Sequence, residues 1–286
     1  LAVRRLSRVY PLLFNHADAW GITFIIICVL YLLHDAFSVR HIGLLLAVTL
    51  AYWFGFAVND YYDAPYDAHD PHKARRNYFV QHTLAPIQVW RIVLVVLSPV
   101  ALIFASYGRR GMAFFCLSVG VLWAYSAPPL RLKSRPVLDL VTHALFVETY
   151  PYVLVHILLD LPWLAIDILL IAFLMCASLA AQLEQQARDY ALDAATDNNF
   201  TVTFGKPVTL LLLKLVSLGL IVVGVGGISL GVVPLFLLPL FALGTPAVVH
   251  RFWRAPDTPR PEHLIKLSIA LGVVYMLGVV AYGWWV

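Results

Sequence analysis

Apolar residues in this chain fall in long unbroken runs, with little of the alternation of a half-buried strand or the striping of a surface helix. A helix needs about 20 such residues to cross about 30 Å of hydrocarbon. Runs of that order stand at about 18–36, 41–62, 86–106, 111–127, 138–159, 162–187, 207–228, 232–250 and 264–285. Many are rich in Leu, Val and Ile around their whole circumference, as lipid-facing or bundle helices are. A transmembrane β-barrel would instead alternate over about ten residues per strand. The runs predict an all-α, polytopic membrane protein with about nine transmembrane helices. No low-complexity linker interrupts them, so one domain over residues 1–286 is expected.

Composition narrows the class further. Apolar residues make up 61% of the chain and charged residues 13%, against about 45–50% and about 25% in soluble domains. With a mean hydropathy of +0.82, a soluble enzyme, a disordered chain and a disulfide-stapled secreted protein are all excluded. Cys28, Cys116 and Cys176 lie far apart inside apolar runs and read as small core residues. The sequence opens on Leu1, so at least an initiator methionine is expected upstream, and no cleavable signal-peptide pattern follows.

The net charge of +4 belongs to the membrane rather than to nucleic acid, because its distribution is one-sided. With a cytoplasmic N-terminus, Arg4, Arg5, Arg8, Lys73, Arg75, Arg76, Arg131, Lys133, Arg135, Arg188, Lys206, Arg251, Arg254 and Arg260 fall on inside segments. Only Arg40, Arg109 and Arg110 fall outside. This asymmetry predicts N-inside, C-outside, with the longer loops (about 63–85, 128–137, 188–206 and 251–263) on the cytoplasmic face.

Two acidic clusters stand on that face. The stretch Asn59-Asp60-Tyr61-Tyr62-Asp63-Ala64-Pro65-Tyr66-Asp67-Ala68-His69-Asp70 ends the second run, and helical spacing puts Asn59, Asp63 and Asp67 on one side. Arg188-Asp189-Tyr190-Ala191-Leu192-Asp193 ends the sixth run, with Asp197 one further turn on. The same separation divides Asp63 from Asp189 and Asp67 from Asp193. Like charges four apart weaken a helix, and carboxylates at a membrane boundary are costly unless matched. Hard oxygen donors favour Mg²⁺, which binds through one or two carboxylates together with substrate phosphates. The pattern points to a diphosphate held through Mg²⁺; the plainer alternative is that these are solvated loop acids that happen to end helices. Pro65, between two of the acids, is expected to kink or end its helix.

Basic residues nearby fit the first reading. Lys73, Arg75 and Arg76 follow the first cluster, and Arg131, Lys133 and Arg135 sit in a loop on the same face. Arg and Lys stabilise the charge that gathers on a departing diphosphate. Arg75 or Arg76 is the first choice, being nearest in sequence to the aspartates. The positive-inside rule accounts for the same residues without chemistry.

These residues resemble the UbiA superfamily of intramembrane prenyltransferases. Asn59-Asp60-x-x-Asp63-x-x-x-Asp67 looks like its first aspartate-rich motif, and Lys73-Ala74-Arg75-Arg76-Asn77 is similar to the basic continuation. Tyr125-Ser126-Ala127-Pro128-Pro129-Leu130-Arg131-Leu132-Lys133 looks like the family's loop signature, and Asp189-x-x-x-Asp193 with Thr201 and Gly205 resembles the second motif. Differences are Arg76-Asn77-Tyr78-Phe79 where many members carry Asn-Arg-Pro, and Asp197 where a glycine is usual.

The resemblance implies a helical bundle around a central cavity, with Mg²⁺ bound through Asp63, Asp67, Asp189 and Asp193. It implies that these four are catalytic, with Asn59, Arg75, Arg76, Tyr125, Lys133 and Arg188 contacting substrate. The donor would be a polyprenyl diphosphate and the acceptor a lipophilic molecule, by default an aromatic ring. Ionisation would leave an allylic cation, near which Trp53, Tyr61, Tyr62, Tyr66, Trp123 and Tyr125 could serve; a membrane-interface belt places the same residues there. Glu148 and His143 in the fifth run, and Glu184 and Gln185 in the sixth, are intramembrane polar groups with either a functional or a structural pairing role. His69 and His72 lack the further ligands that zinc needs. The competing class is a non-catalytic membrane subunit or a transporter, although transporters place binding groups near the bilayer midplane and these acids stand at helix ends.

Overall fold

A computed structural model describes residues 16–255 and 261–285, and all regular structure among them is helical. Arg4, Arg5, Arg8 and Arg260, used above for sidedness, lie outside the described residues. In chain order the helices are α1 (Ala17–Leu33), α2 (Val39–Asp67), α3 (Pro71–Arg76), α4 (Tyr78–Gln81), α5 (Pro86–Ala105) and α6 (Gly108–Ser126). A 3₁₀ turn at Leu132–Ser134 precedes α7 (Leu138–His143), which passes through a π-helical turn, Ala144–Thr149, into α8 (Tyr150–Leu158). Then come α9 (Ala165–Thr196), α10 (Phe200–Phe204), α11 (Lys206–Ser229), α12 (Leu238–Trp253) and α13 (Glu262–Trp285).

Seven helical segments are long and apolar enough to cross a membrane: Val39–Asp67, Pro86–Ala105, Leu138–Leu158, Ala165–Thr196, Lys206–Ser229, Leu235–Trp253 and His263–Tyr282. The first predicted run supplies a shorter apolar helix, Trp20–Leu33. The fourth is α6, whose first turn holds Arg109 and Arg110. The expected count of nine is therefore approximate. Outward faces such as Leu94, Val95 and Leu102 on α5, and Leu211, Leu215, Leu218 and Val222 on α11, are apolar and exposed, as lipid-facing surfaces require.

Two compact units divide the described residues: 16–24 with 38–131, and 25–37 with 132–285. In the first, α2 packs against α5 and α6 around Leu44, Val48, Phe54, Val100 and Phe104. The turn from α5 to α6 requires Gly111, because a Cβ there would stand 1.9 Å from the Phe104 carbonyl oxygen. In the second, α9 packs against α11 and the π-helical turn, and Leu140, Ala180, Leu183 and Leu213 form a buried cluster. Pro151 follows that turn closely and cannot donate the backbone bond that a continuous α-helix would need there.

Helix length sets where the acidic motifs stand. At 1.5 Å per residue, α9 with 32 residues is about 48 Å long and outreaches a hydrocarbon core of about 30 Å. The motif Asp189–Asp193 occupies its extension, as Asp63–Asp67 occupies the last turns of the 29-residue α2. Both helices thus continue past the apolar runs that predict them, which stop at about 62 and about 187. The α2 helix also runs two residues beyond Pro65. In the last turn the missing N–H removes a single bond, so the helix ends soon after the proline without breaking at it.

Candidate active site

In the first unit, the carboxylates of Asp63 and Asp67 are each held by an asparagine. Asn59 Nδ2 donates to Asp63 Oδ2 at 2.9 Å, one turn along α2. Ser126 Oγ, at the end of α6, donates in turn to Asn59 Oδ1 at 3.2 Å. Asn77, 3% exposed, donates through Nδ2 to Asp67 Oδ2 and to the Asp60 carbonyl, both at 2.8 Å. Its Oδ1 caps α4 by accepting from Phe79 N at 2.9 Å. One buried side chain therefore ties the loop after α2 back onto the motif. Arg131 lies with NH2 3.5 Å from Asp63 Oδ1 and its guanidinium 4.1 Å over the Tyr66 ring. It adopts a left-handed backbone, φ +36, a conformation L-residues hold at a cost and one that is concentrated at functional sites.

The neighbouring aspartates have other work. Asp60 is buried, with both oxygens 3.0 Å from His16 Nε2. Asp70 caps α3, accepting from His72 N and Lys73 N ahead of Pro71.

The second unit repeats the device. Asn199 Nδ2 donates to Asp193 Oδ2 at 2.7 Å, while its Oδ1 caps α10 by accepting from Val202 N at 3.0 Å. Arg188 Nε donates to Asp189 Oδ1 at 2.9 Å. Beneath the motif lies a buried polar network around Asp139, which is 0% exposed. Asp139 accepts from Gln186 Nε2 at 2.6 Å, Phe200 N at 2.8 Å and Leu140 N at 2.8 Å. Gln186 Oε1 accepts from Thr201 N and Oγ1, and Thr209 Oγ1 donates to Thr201 Oγ1 at 3.0 Å. Gly205 makes the break between α10 and α11 at φ +89, ψ 150, a region essentially closed to other residues. Such a fully satisfied network fixes the end of α9 rigidly.

The architecture and the motifs point to one family, and a direct comparison agrees: the family model of the UbiA prenyltransferase family matches residues 21–272. The chain belongs to the UbiA prenyltransferase family. It is accordingly an integral, multi-pass membrane protein. A UbiA homologue from Archaeoglobus fulgidus bound to GPP and Mg²⁺ is similar in fold, with a TM-score of 0.71 at 18% identity over 96% of this chain and 99% of that one. The same homologue bound to DMAPP and Mg²⁺ gives 0.70 at 17% identity, over 96% and 99%. The apo UbiA homologue from Aeropyrum pernix K1 gives 0.68 at 14%, over 92% and 97%. No curated protein matches the sequence.

Within this UbiA chain, the residues singled out from sequence divide clearly. Asn59 and Asp63 are bonded to one another, and Asp67 stands one turn on, held by Asn77. Arg75 and Arg76 end α3 and are exposed; Arg131, from the loop after α6, stands 3.5 Å from Asp63. Tyr125 is half-buried near the end of α6. In the second unit, Arg188 contacts Asp189, and Lys133 is half-buried in the 3₁₀ turn. Asn77, Ser126, Asn199 and Asp139 were not singled out; Asn77 and Asn199 each stand just before a short apolar helix, a capping signal that sequence carries.

Glu184 has a structural assignment. It is buried and meets Arg251 Nε at 2.9 Å, Arg254 NH1 at 2.9 Å and His250 Nε2 at 3.0 Å, all from α12 or just beyond it. Glu148 lies in the π-helical turn, half-buried. His143 Nδ1 is 3.0 Å from Ser178 Oγ, which also donates to the His143 carbonyl. Beside the first motif, Trp53, Tyr61, Tyr62, Phe79, Leu84 and Trp123 help line a small, open apolar cleft.

Proposed function

We propose that this chain transfers a prenyl group from a polyprenyl diphosphate to a lipophilic, by default aromatic, acceptor within the membrane, with Mg²⁺ as cofactor. The observation that carries this reading is the pair of i,i+4 aspartates in each unit, each steadied by an asparagine that also caps the next helix. A solvated loop acid has no need of a buried amide to orient it. The donor set is all hard oxygen, which suits Mg²⁺. The similar Archaeoglobus fulgidus structures, bound to GPP or DMAPP with Mg²⁺, support the same donor class.

In this proposal Asp63, Asp67, Asp189 and Asp193 hold the metal, and Mg²⁺ supplies the charge that binds the diphosphate and eases its departure. Asn59 and Asn77 hold the first carboxylate pair in place, and Asn199 holds Asp193. Arg75, Arg76, Lys133 and Arg188 attract the diphosphate, and Arg131 joins them from beside Asp63. The C1–O bond of the donor breaks with its electron pair leaving on the diphosphate. The acceptor's nucleophile then bonds C1 and gives up a proton. Tyr61, Tyr62 and Trp123 offer aromatic faces that shelter an isoprenoid or its allylic cation from water, with Tyr125 nearby in sequence. One prenyltransferase domain, with its N-terminus and motif-bearing ends cytoplasmic and its C-terminus outside, completes the reading.

The test is Mg²⁺-dependent diphosphate release from a series of prenyl diphosphates, with and without membrane lipid extract. Wild type is compared with Asp63→Ala and Asp193→Ala. Release should require magnesium and both aspartates, and extract should yield a prenylated product identifiable by mass spectrometry. A folded wild-type chain that neither binds donor nor releases diphosphate would leave the non-catalytic membrane subunit standing.

A further inference from the structure

The second unit holds a buried cluster at the opposite end of α9 from its aspartate motif. His34 follows α1, His156 lies near the end of α8, and Asp167 sits in the first turn of α9. Their side chains are 2%, 1% and 0% exposed. One ligand atom from each lies within 4.8 Å of the others. His34 Nε2 is 3.0 Å from Asp167 Oδ1, and His156 Nε2 is 3.5 Å from Asp167 Oδ2. Asp167 and Asp189 are 22 residues apart on α9, about 33 Å at 1.5 Å per residue, so this cluster stands apart from the second aspartate motif.

Two features of the cluster are unexplained by packing. Asp167 is a fully buried carboxylate, and among the described residues no Lys or Arg pairs with it; its ionic neighbours are the two histidines. His156 Nε2 is buried with no hydrogen-bond partner. It stands 3.5 Å from Asp167 Oδ2, a gap between a ring nitrogen and a carboxylate oxygen that a bound cation would fill.

We propose that His34, His156 and Asp167 form a site for a divalent transition metal of the Zn²⁺ class. Two imidazole nitrogens and one carboxylate oxygen are the mixed donors that Zn²⁺ takes in four-coordinate geometry, with water in the fourth position. Metal–ligand distances of about 2.0–2.2 Å set tetrahedral ligand atoms about 3.3 Å apart, and the observed 3.0 and 3.5 Å bracket that value. The surrounding contacts are those that orient metal ligands. Tyr152 hydroxyl donates to Asp167 Oδ1 at 2.5 Å, and Leu164 N donates to Oδ2 at 2.6 Å. Trp163 stacks on His156 with ring centroids 3.8 Å apart and covers it. The metal joins the residue after α1 to the end of α8 and the start of α9, clamping three helix ends.

The experiment uses the full chain in detergent, stripped with chelator and returned to excess Mg²⁺ so that hard oxygen sites are filled. Zn²⁺ is then titrated, with bound metal read by elemental analysis after dialysis, Trp fluorescence read for Trp163, and the thermal midpoint read alongside. One Zn²⁺ per chain should bind, changing the fluorescence and raising the midpoint by several degrees. His34→Gln and His156→Gln should each weaken binding at least tenfold, while Asp63→Asn with Asp193→Asn should keep the full stoichiometry. Absence of a bound equivalent in wild type overturns the proposal. So does a bound equivalent that disappears with the aspartate-motif variant and persists in both histidine variants. Co²⁺ in wild type alone gives an answer even where a variant fails to fold: visible bands of a four-coordinate site support the proposal, and their absence at one equivalent refutes it.

Discussion

Replacing Asn77 with alanine isolates what the asparagine clamp contributes. The substitution removes a helix cap and two hydrogen bonds from a side chain that is 3% exposed. A cap is worth about 1 kcal/mol. The bond to the Asp60 carbonyl is worth about 1 kcal/mol, and the one to the Asp67 carboxylate about 2 kcal/mol because its acceptor is charged. The upper bound on lost local order is therefore roughly 4 kcal/mol. Water will replace part of the bond to half-buried Asp67, leaving roughly 1.5–3 kcal/mol, or about 10- to 100-fold in an equilibrium constant. That loss falls on positioning of Asp67 rather than on the membrane core, because α3 and α4 bury no apolar side chain.

Half-saturating Mg²⁺ in the diphosphate-release assay should accordingly rise about tenfold or more, with little change in the thermal midpoint. Asn77→Asp keeps the cap but exchanges the amide donor for a carboxylate facing Asp67, so its magnesium requirement should rise at least as far. Asn199→Ala should do the same through Asp193. Unchanged magnesium dependence in both alanine variants would refute the clamp argument.

Two other predictions concern stability. Asp139→Ala leaves the Phe200 N–H and the Gln186 amide buried without their acceptor, at a cost of about 3 kcal/mol; the thermal midpoint in detergent should fall by roughly 6–12 °C. A midpoint within 2 °C or so of wild type would mean the network is replaceable by water. Glu184→Ala strands Arg251, Arg254 and His250 in a buried site and should cost about 3–5 kcal/mol. A second change, Arg251→Ala, made on that background should recover part of the midpoint, and further loss would show that the pair is not what holds α12.

The aspartate motifs were legible because they break a local rule. Like-charged residues four apart, in a chain with so few charges, stand out without any knowledge of packing. The cation beside Asp63 was not legible in the same way. Arg131 is 68 residues from Asp63 and reaches it with its own backbone left-handed and its guanidinium over the Tyr66 ring. Glu184 reads from sequence as an acid inside an apolar span with either role open, and Asp139 carries no signal that singles it out. Their partners, 61 to 67 residues away in the chain for Phe200 and Arg251, show both to be structural.

By itself the sequence determined what depends on near neighbours: helices of membrane-spanning length, the absence of alternating strands, and the spacing that puts each aspartate pair on one face. Those properties follow from the period of the helix and the cost of burying charge, and a window of a few turns contains them. Tertiary structure alone decided which polar groups meet. The asparagine on Asp67, the arginine on Asp63, the network under Asp193 and the meeting of His34, His156 and Asp167 bring together residues 8 to 133 positions apart. No local pattern encodes such pairs, because side-chain hydrogen bonds and metal-ligand sets have no period and are chosen only when helices pack.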